Sequence, residues 1–138
     1  MTIKVIAMML VTVVSLALAE RDARAAQAWI CSVASAVAVD EDGTVGPPDL
    51  GERERPTFFR LDADKKELTL LAPESRRGEV TKLDAVHDVN RQRAFSGVEH
   101  GRVVSVIVST DGRMTLSIIS DGVVWSVFGH ALPEDRAQ

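Results

Sequence analysis

The C-terminal half of the chain alternates between apolar and polar residues in short runs, and an Asp-Gly pair separates each run from the next. The runs are Val103 to Ser109, Met114 to Ser120 and Val123 to Gly129, with Asp111-Gly112 and Asp121-Gly122 between them. A period of two punctuated by Asp-Gly is typical of antiparallel strands joined by tight turns. This part of the chain is therefore predicted to form two consecutive β-hairpins.

The register of these hairpins follows from the requirement that one face collects the apolar side chains. A three-residue loop at Thr110 to Gly112, with Gly112 in the left-handed region of a bulged turn, places Val106 opposite Leu116. A two-residue loop there would mix serine with apolar residues, whereas a two-residue turn suits Asp121-Gly122. The predicted buried face contains Val104, Val106, Val108, Met114, Leu116, Ile118, Trp125 and Val127.

The opposite face of the same sheet is more apolar than a solvated surface requires. It carries Ile107, Ile119, Val124 and Phe128. Either the sheet is covered on both sides, or this outer apolar patch is a binding surface. These four residues are the predicted binding residues.

Five further runs resemble strands by the same criteria. They are Trp29 to Val39, Thr57 to Leu61, Glu67 to Leu71, Val80 to Val89 and Arg93 to Val98. The segment 40–56 between the first two holds prolines and glycines among alternating charges, which predicts a loop. We therefore expect an all-β fold, a single antiparallel meander of about seven or eight strands closed as a small barrel, with a sandwich as the alternative.

The first residues have a different pattern, that of a cleaved secretory signal peptide. Lys4 precedes a run without charge from Val5 to Leu18, and Ala17 and Ala19 supply the small residues that signal peptidase prefers before Glu20. A membrane helix needs about 20 apolar residues, more than this run offers, so no anchor is expected to persist after cleavage. The predicted location is the periplasm or the extracellular space.

These boundaries divide the chain into a signal peptide at 1–19, a short polar and helical segment at 20–28 and a β-domain at 29–138. Cleavage leaves 15 basic and 20 acidic residues, a net charge of −5. Because the arginines at 53–55 and 76–77 are interleaved with glutamates, no basic face forms and a nucleic-acid partner is not expected.

The residues that commonly carry chemistry form no recognisable motif. Cys31 is the only cysteine and lies in an apolar run, so it is predicted to be a buried hydrophobe. His87, His100 and His130 lack metal-ligand spacing. His100 and His130 could share one rim of a barrel, but turn histidines without a ligand are the favoured interpretation.

Other catalytic and cofactor motifs are equally weak. The segment that carries Asp62, Asp64 and Glu67 has the acidic spacing of a calcium loop, but it lacks the glycine and the further oxygen ligands of an EF-hand. No hydrolase elbow or phosphate-binding loop is present in the sequence. Catalytic residues, metals and cofactors are accordingly predicted to be none, and Trp29 and Trp125 are assigned to core packing.

The layout of residues 29 to 130 resembles small exported bacterial β-proteins of uncharacterised function. The resemblance consists of a Trp29-x-Cys31 strand, a Pro/Gly loop, a Phe59-x-Leu61-Asp62 hairpin and a closing Val127-Phe128-Gly129 segment. It implies an exported β-domain and no particular activity.

Three hypotheses for function follow. The first is a non-enzymatic binding module for a small ligand or an envelope component, which would use the barrel mouth or the outer apolar patch and would show a cavity lined by Trp and Phe. The second is a protein-interaction or inhibitor module acting through the 40–56 loop. The third is a hydrolase or a metal-dependent enzyme, which would need a histidine to meet carboxylates in a cleft.

Processing of the N-terminus gives the first testable prediction. Exported protein should begin at Glu20 or within the following few residues, because Ala17 and Ala19 satisfy the small-residue rule. N-terminal sequencing of the exported material checks this. Recovery of intact Met1 in the membrane fraction would contradict it.

Overall fold

The computed structural model of the protein describes residues 27–48 and 56–134, which form a single antiparallel sheet. Its ten strands are β1 Ala28–Asp40, β2 Val45–Gly46, β3 Phe58–Asp62, β4 Glu67–Ala72, β5 Val80–Lys82, β6 Ala85–Val89, β7 Gln92–Glu99, β8 Arg102–Ser109, β9 Arg113–Ser120 and β10 Val123–Pro133. One 3₁₀ turn, Glu74–Arg76, links β4 to β5. The predicted signal peptide, its cleavage site and most of the 20–28 segment lie outside the described residues, and Ala28 already belongs to β1.

The strands follow one another around the sheet in the order β5-β4-β3-β1-β10-β9-β8-β7-β6, and the short β2 pairs with β1. Neighbours along the sheet are neighbours along the chain with two exceptions. The short β2 separates β1 from β3, and the long ladder between β1 and β10 joins the two ends of the domain. The expected all-β, antiparallel fold is confirmed. No helix in the described ranges is long and apolar enough to cross a membrane.

The strand count of seven or eight was too low, for two physical reasons. The predicted strand from Val80 to Val89 is divided at Leu83 and Asp84, where the chain leaves β4 and joins β7. There the Leu83 N–H donates to Lys66 O and the Asp84 N–H donates to Ser96 O. In addition, β2 forms inside the predicted loop, and two residues are too few to show a period in sequence.

The register predicted for the C-terminal hairpins is confirmed. Val106 lies opposite Leu116, and Leu116 lies opposite Val127, as the burial of one apolar face requires. Gly112 has φ +84° and its N–H donates to Ser109 O, which gives the bulged three-residue turn. The inner face of β8, β9 and β10 is therefore the one derived from the alternation.

The sheet curls into a half-barrel, as a contact between distant strands shows. Three strands separate β1 from β7, so in a flat sheet they would lie about 19 Å apart at the usual strand spacing. Instead Trp29 on β1 and Phe95 on β7 meet edge to face with ring centroids 5.8 Å apart. The concave side of the curled sheet consequently holds the core.

The seam of the half-barrel lies where β5 faces the last residues of β7. No β5–β7 backbone ladder forms there, and side chains take its place: the Val98 N–H donates to Asp84 Oδ2 at 2.9 Å and the Lys82 N–H donates to Glu99 Oε2 at 3.2 Å. Gly97 permits the approach, because a Cβ at that position would lie 2.7 Å from Lys82 O.

A methyl group at the seam should therefore destabilise the fold. Gly97→Ala places its Cβ against the backbone of Lys82 and Leu83, and overpacking of this kind typically costs about 1 to 3 kcal/mol. Denaturant unfolding monitored by circular dichroism measures the free energy.

Gly46→Ala is the matched control, since its Cβ would meet nothing within 4 Å. It should change the free energy of unfolding by less than about 1 kcal/mol. Equal effects of the two substitutions would show that the seam does not depend on Gly97.

Candidate functional site

A cavity of about 350 Å³ lies inside one end of the half-barrel. We call this end the mouth; it includes the turn His100-Gly101 between β7 and β8 and the 3₁₀ turn Glu74–Arg76. The apolar part of the cavity wall comes from inward-facing positions on several strands and from Pro48: Val33, Pro48, Phe59, Leu68, Leu70, Val80, Val104, Leu116, Ile118, Trp125 and Val127. The polar part consists of Thr57, Arg76, Glu79, Thr81, Glu99, His100 and Arg102.

The cavity exists because the two ends of the interior are filled unequally. At the far end from the mouth, Trp29, Phe95 and Met114 are buried and fill the space between opposite walls. Towards the mouth the inner face carries smaller residues, among them Val104, which lines the cavity. Small side chains on a wall whose width is set by the strand number leave a void.

An ion pair occupies one side of the mouth. The Arg76 guanidinium donates from Nε and Nη2 to the Glu79 carboxylate, with the shorter contact at 2.6 Å. The hydrogen bonds from Arg76 lower the pKa of Glu79, and the charge of Arg102 acts in the same direction. Glu79 is thus a carboxylate with its charge already balanced.

The hairpin between β7 and β8 occupies the other side of the mouth. His100 and Gly101 both adopt left-handed backbone conformations, with φ +50° and +74°, in a two-residue turn of the kind that suits a twisted hairpin. Glu99 and Arg102 face each other across this turn. The Glu99 carboxylate bonds the Lys82 N–H at the seam and lies 3.9 Å from His100 Nδ1.

The idea that His100 and His130 share one rim is wrong. His100 lines the mouth, whereas β10 runs away from the mouth and places His130 opposite Arg113, beside the turn at the far end. His87 is exposed on β6. Within 27–48 and 56–134, no three His, Cys, Asp or Glu side chains are grouped so as to hold a metal ion.

The acidic turn after β3 has internal partners for its buried carboxylate. Asp62 accepts a hydrogen bond from the Lys65 N–H at 2.9 Å and an ion pair from Arg60 at 2.6 Å. Burial opposes ionisation, yet these hydrogen bonds hold the pKa of Asp62 below its usual value. The carboxylate therefore serves the turn itself.

An open depression beside the mouth is lined by Asp40, Glu41, Asp42, Asp121 and Gly122. Its side chains are all acidic, and Asp42 is used locally, since it accepts the Thr44 N–H at 2.8 Å. The depression has no apolar wall on which a ligand could bury surface. The apolar cavity is therefore the better candidate site.

The four predicted patch residues lie on the convex face in two pairs. Ile119 and Val124 are direct cross-strand partners, and Ile107 and Phe128 both lie opposite Thr115. All four are exposed, Phe128 to 46% and Ile119 to 49%. The role of this patch as a binding surface stays a prediction, as does that of the 40–56 loop, of which 49–55 lie outside the described residues.

Sequence reasoning missed the charged residues of the mouth, although one of them could have been found. The register derived above places Val104 on the inner face, so Arg102, two residues earlier on the same strand, must face inward as well. Arg76 and Glu79 come from a segment without periodicity, which offers no such signal. Trp125, assigned to the core, is only half-buried and lines the cavity.

Comparison of the chain with protein-family models, with curated proteins and with solved structures gave no match. The geometry of the cavity and the chemistry of its lining are therefore the features that bear on function.

The buried thiol provides a test of the interior. Cys31 is fully buried between β3 and β10, and burial raises the pKa of its thiol to about 12. Because the thiolate is the reactive form, Cys31 should resist a disulfide reagent at pH 8 in the native protein and react on unfolding. Absorbance of the released thiol reports both rates, and rapid labelling of the native protein would contradict this packing.

Proposed function

We propose that the protein is an exported, non-enzymatic binding module that holds a small apolar or amphipathic ligand in the cavity of its half-barrel. Export is supported by the signal-like pattern of residues 1–19. Binding is supported by one observation above the others, the cavity of about 350 Å³ with an apolar wall and a charged mouth.

The composition of the wall matches what small-ligand sites use. Such sites are concave, have volumes of about 300 to 1,000 Å³, and combine many apolar side chains with a few polar groups that orient the ligand. Here Phe59, Leu70, Ile118 and Trp125 supply the apolar surface, and the polar groups gather at the mouth. A cavity lined by Trp and Phe is the feature expected of a small-ligand module.

The size of the cavity limits the ligand. At about 30 Å³ for a water-sized group, 350 Å³ corresponds to roughly a dozen such groups. A ligand of this size would bury most of its apolar surface, and each methylene removed from water contributes about 0.8 kcal/mol. Octan-1-ol is therefore a suitable uncharged probe.

Two neighbouring isoleucines allow an experiment to distinguish binding in the cavity from binding on the convex face. Ile118 lines the cavity, and Ile119 is exposed on the opposite side of the same strand. Octan-1-ol should bind the unaltered protein one to one in calorimetry. Ile118→Asp should weaken that binding at least about tenfold, because a carboxylate must lose water when the apolar ligand enters.

Ile119→Asp is the matched control and should leave the affinity for octan-1-ol unchanged, with circular dichroism verifying that both variants are folded. Weaker binding in Ile119→Asp alone would move the site to the outer apolar patch. No binding to the unaltered protein would refute the proposed function.

A further inference from the structure

We propose that the ligand of the cavity is a medium-chain carboxylate, whose tail lies against the apolar wall and whose head group is bound by Arg102 at the mouth. This inference rests on the proposed function and adds the chemical class of the ligand and the residue that selects it.

Arg102 is directed to the cavity by the alternation of its strand. It is the first residue of β8, and Val104 and Val106, on the same face, are both buried. Arg102 also lies opposite Glu99 across the hairpin, and both residues line the cavity. Its guanidinium is therefore placed where the apolar wall meets the mouth.

Arg102 forms no ion pair within the described ranges, although its charge helps to lower the pKa of Glu79. Arg76 is held by Glu79 at 2.6 Å, and Glu99 accepts the Lys82 N–H at the seam. Arg102, by contrast, has no hydrogen bond or ion pair from its side chain to another described residue. A half-buried cation above an apolar cavity favours an anionic group that arrives with the ligand.

The charges around Arg102 favour a single negative charge on that group. Arg76 and Arg102 supply two positive charges at the mouth, and Glu79 and Glu99 supply two negative ones. The several negative charges of a polyphosphate would be repelled by Glu79 and Glu99. A ligand with one carboxylate adds a single negative charge, and its two oxygens can accept hydrogen bonds from the parallel N–H groups of a guanidinium. The tail must be apolar because Leu70, Ile118 and Trp125 form the wall.

Octanoate and octan-1-ol are the probes that test this assignment, because they share a tail and differ in the head group. Calorimetry on the unaltered protein should show octanoate binding about tenfold more tightly than octan-1-ol at low salt. The advantage should shrink as salt is added, since the pair forms at a solvated mouth.

Arg102→Gln should abolish the preference for octanoate over octan-1-ol. Octanoate should bind at least about tenfold more weakly than to the unaltered protein, because its carboxylate loses water without gaining a cation. Octan-1-ol should bind within about twofold of its original affinity, which also shows that the variant is folded. Arg102→Lys should retain part of the preference for octanoate, because lysine keeps the positive charge but lacks the two parallel N–H donors of the guanidinium.

Arg113→Gln is the matched control, because Arg113 is exposed at the far end and pairs with Asp111. It should leave both affinities unchanged. Equal binding of the two probes to the unaltered protein, or an octanoate preference that survives Arg102→Gln, would overturn the assignment and leave the cavity as a site for neutral ligands. Failure of both probes would overturn the proposed function itself.

Discussion

The half-barrel depends on the point where one extended segment changes its partner. Residues 80–82 pair with β4, residues 85–89 pair with β7, and the two intervening residues carry the chain from one side of the sheet to the other. Both parts are antiparallel to their partners and run in the same direction, so a single bent segment bridges the two ends of the sheet. The backbone groups that the interrupted ladder leaves at this seam are bonded by Asp84 and Glu99. Without these bonds the seam would present the unpaired N–H groups of two sheet edges.

Closure at the seam has a direct consequence for the interior. It requires the backbone of β5 to approach β7, and the approach is possible only because Gly97 has no side chain. The backbone of Lys82 and Leu83 fills the space in front of Gly97, and the cavity lies elsewhere along the inner face, against Val104, Ile118 and Trp125. A void in a protein interior costs stability, because its lining atoms lose dispersion contacts. At the opposite end of the half-barrel, the buried side chains of Trp29, Phe95 and Met114 fill the space between the walls. Side chains of this chain can therefore fill an interior of this width. An apolar space retained at one end only is what a binding function would require.

The sequence predicted the fold where local patterning decides it and failed where tertiary contacts do. Alternation was sufficient for the register of β8, β9 and β10, because only one choice separates serine from the valines, leucines and isoleucines. It could not reveal the break at Leu83 and Asp84, since the exchange of partners alters hydrogen bonding without altering the apolar pattern. Nor could it reveal the mouth. Arg76, Glu79 and Arg102 come together only because the sheet curls, and a curl brings together residues that no local rule connects.

The seam and the candidate binding residue are linked through Glu99. Opposite charges that face each other across a hairpin normally pair, and Glu99 and Arg102 occupy such positions. In this protein Glu99 instead turns towards β5 and accepts the Lys82 N–H, which has no ladder partner on β7. This bond gives the Lys82 N–H an acceptor at the point where the ladder is interrupted. The closure of the half-barrel thereby directs towards the seam the carboxylate that lies opposite Arg102 across the hairpin. Under the proposed function, the anionic group of the ligand would supply the partner that Glu99 does not provide to Arg102.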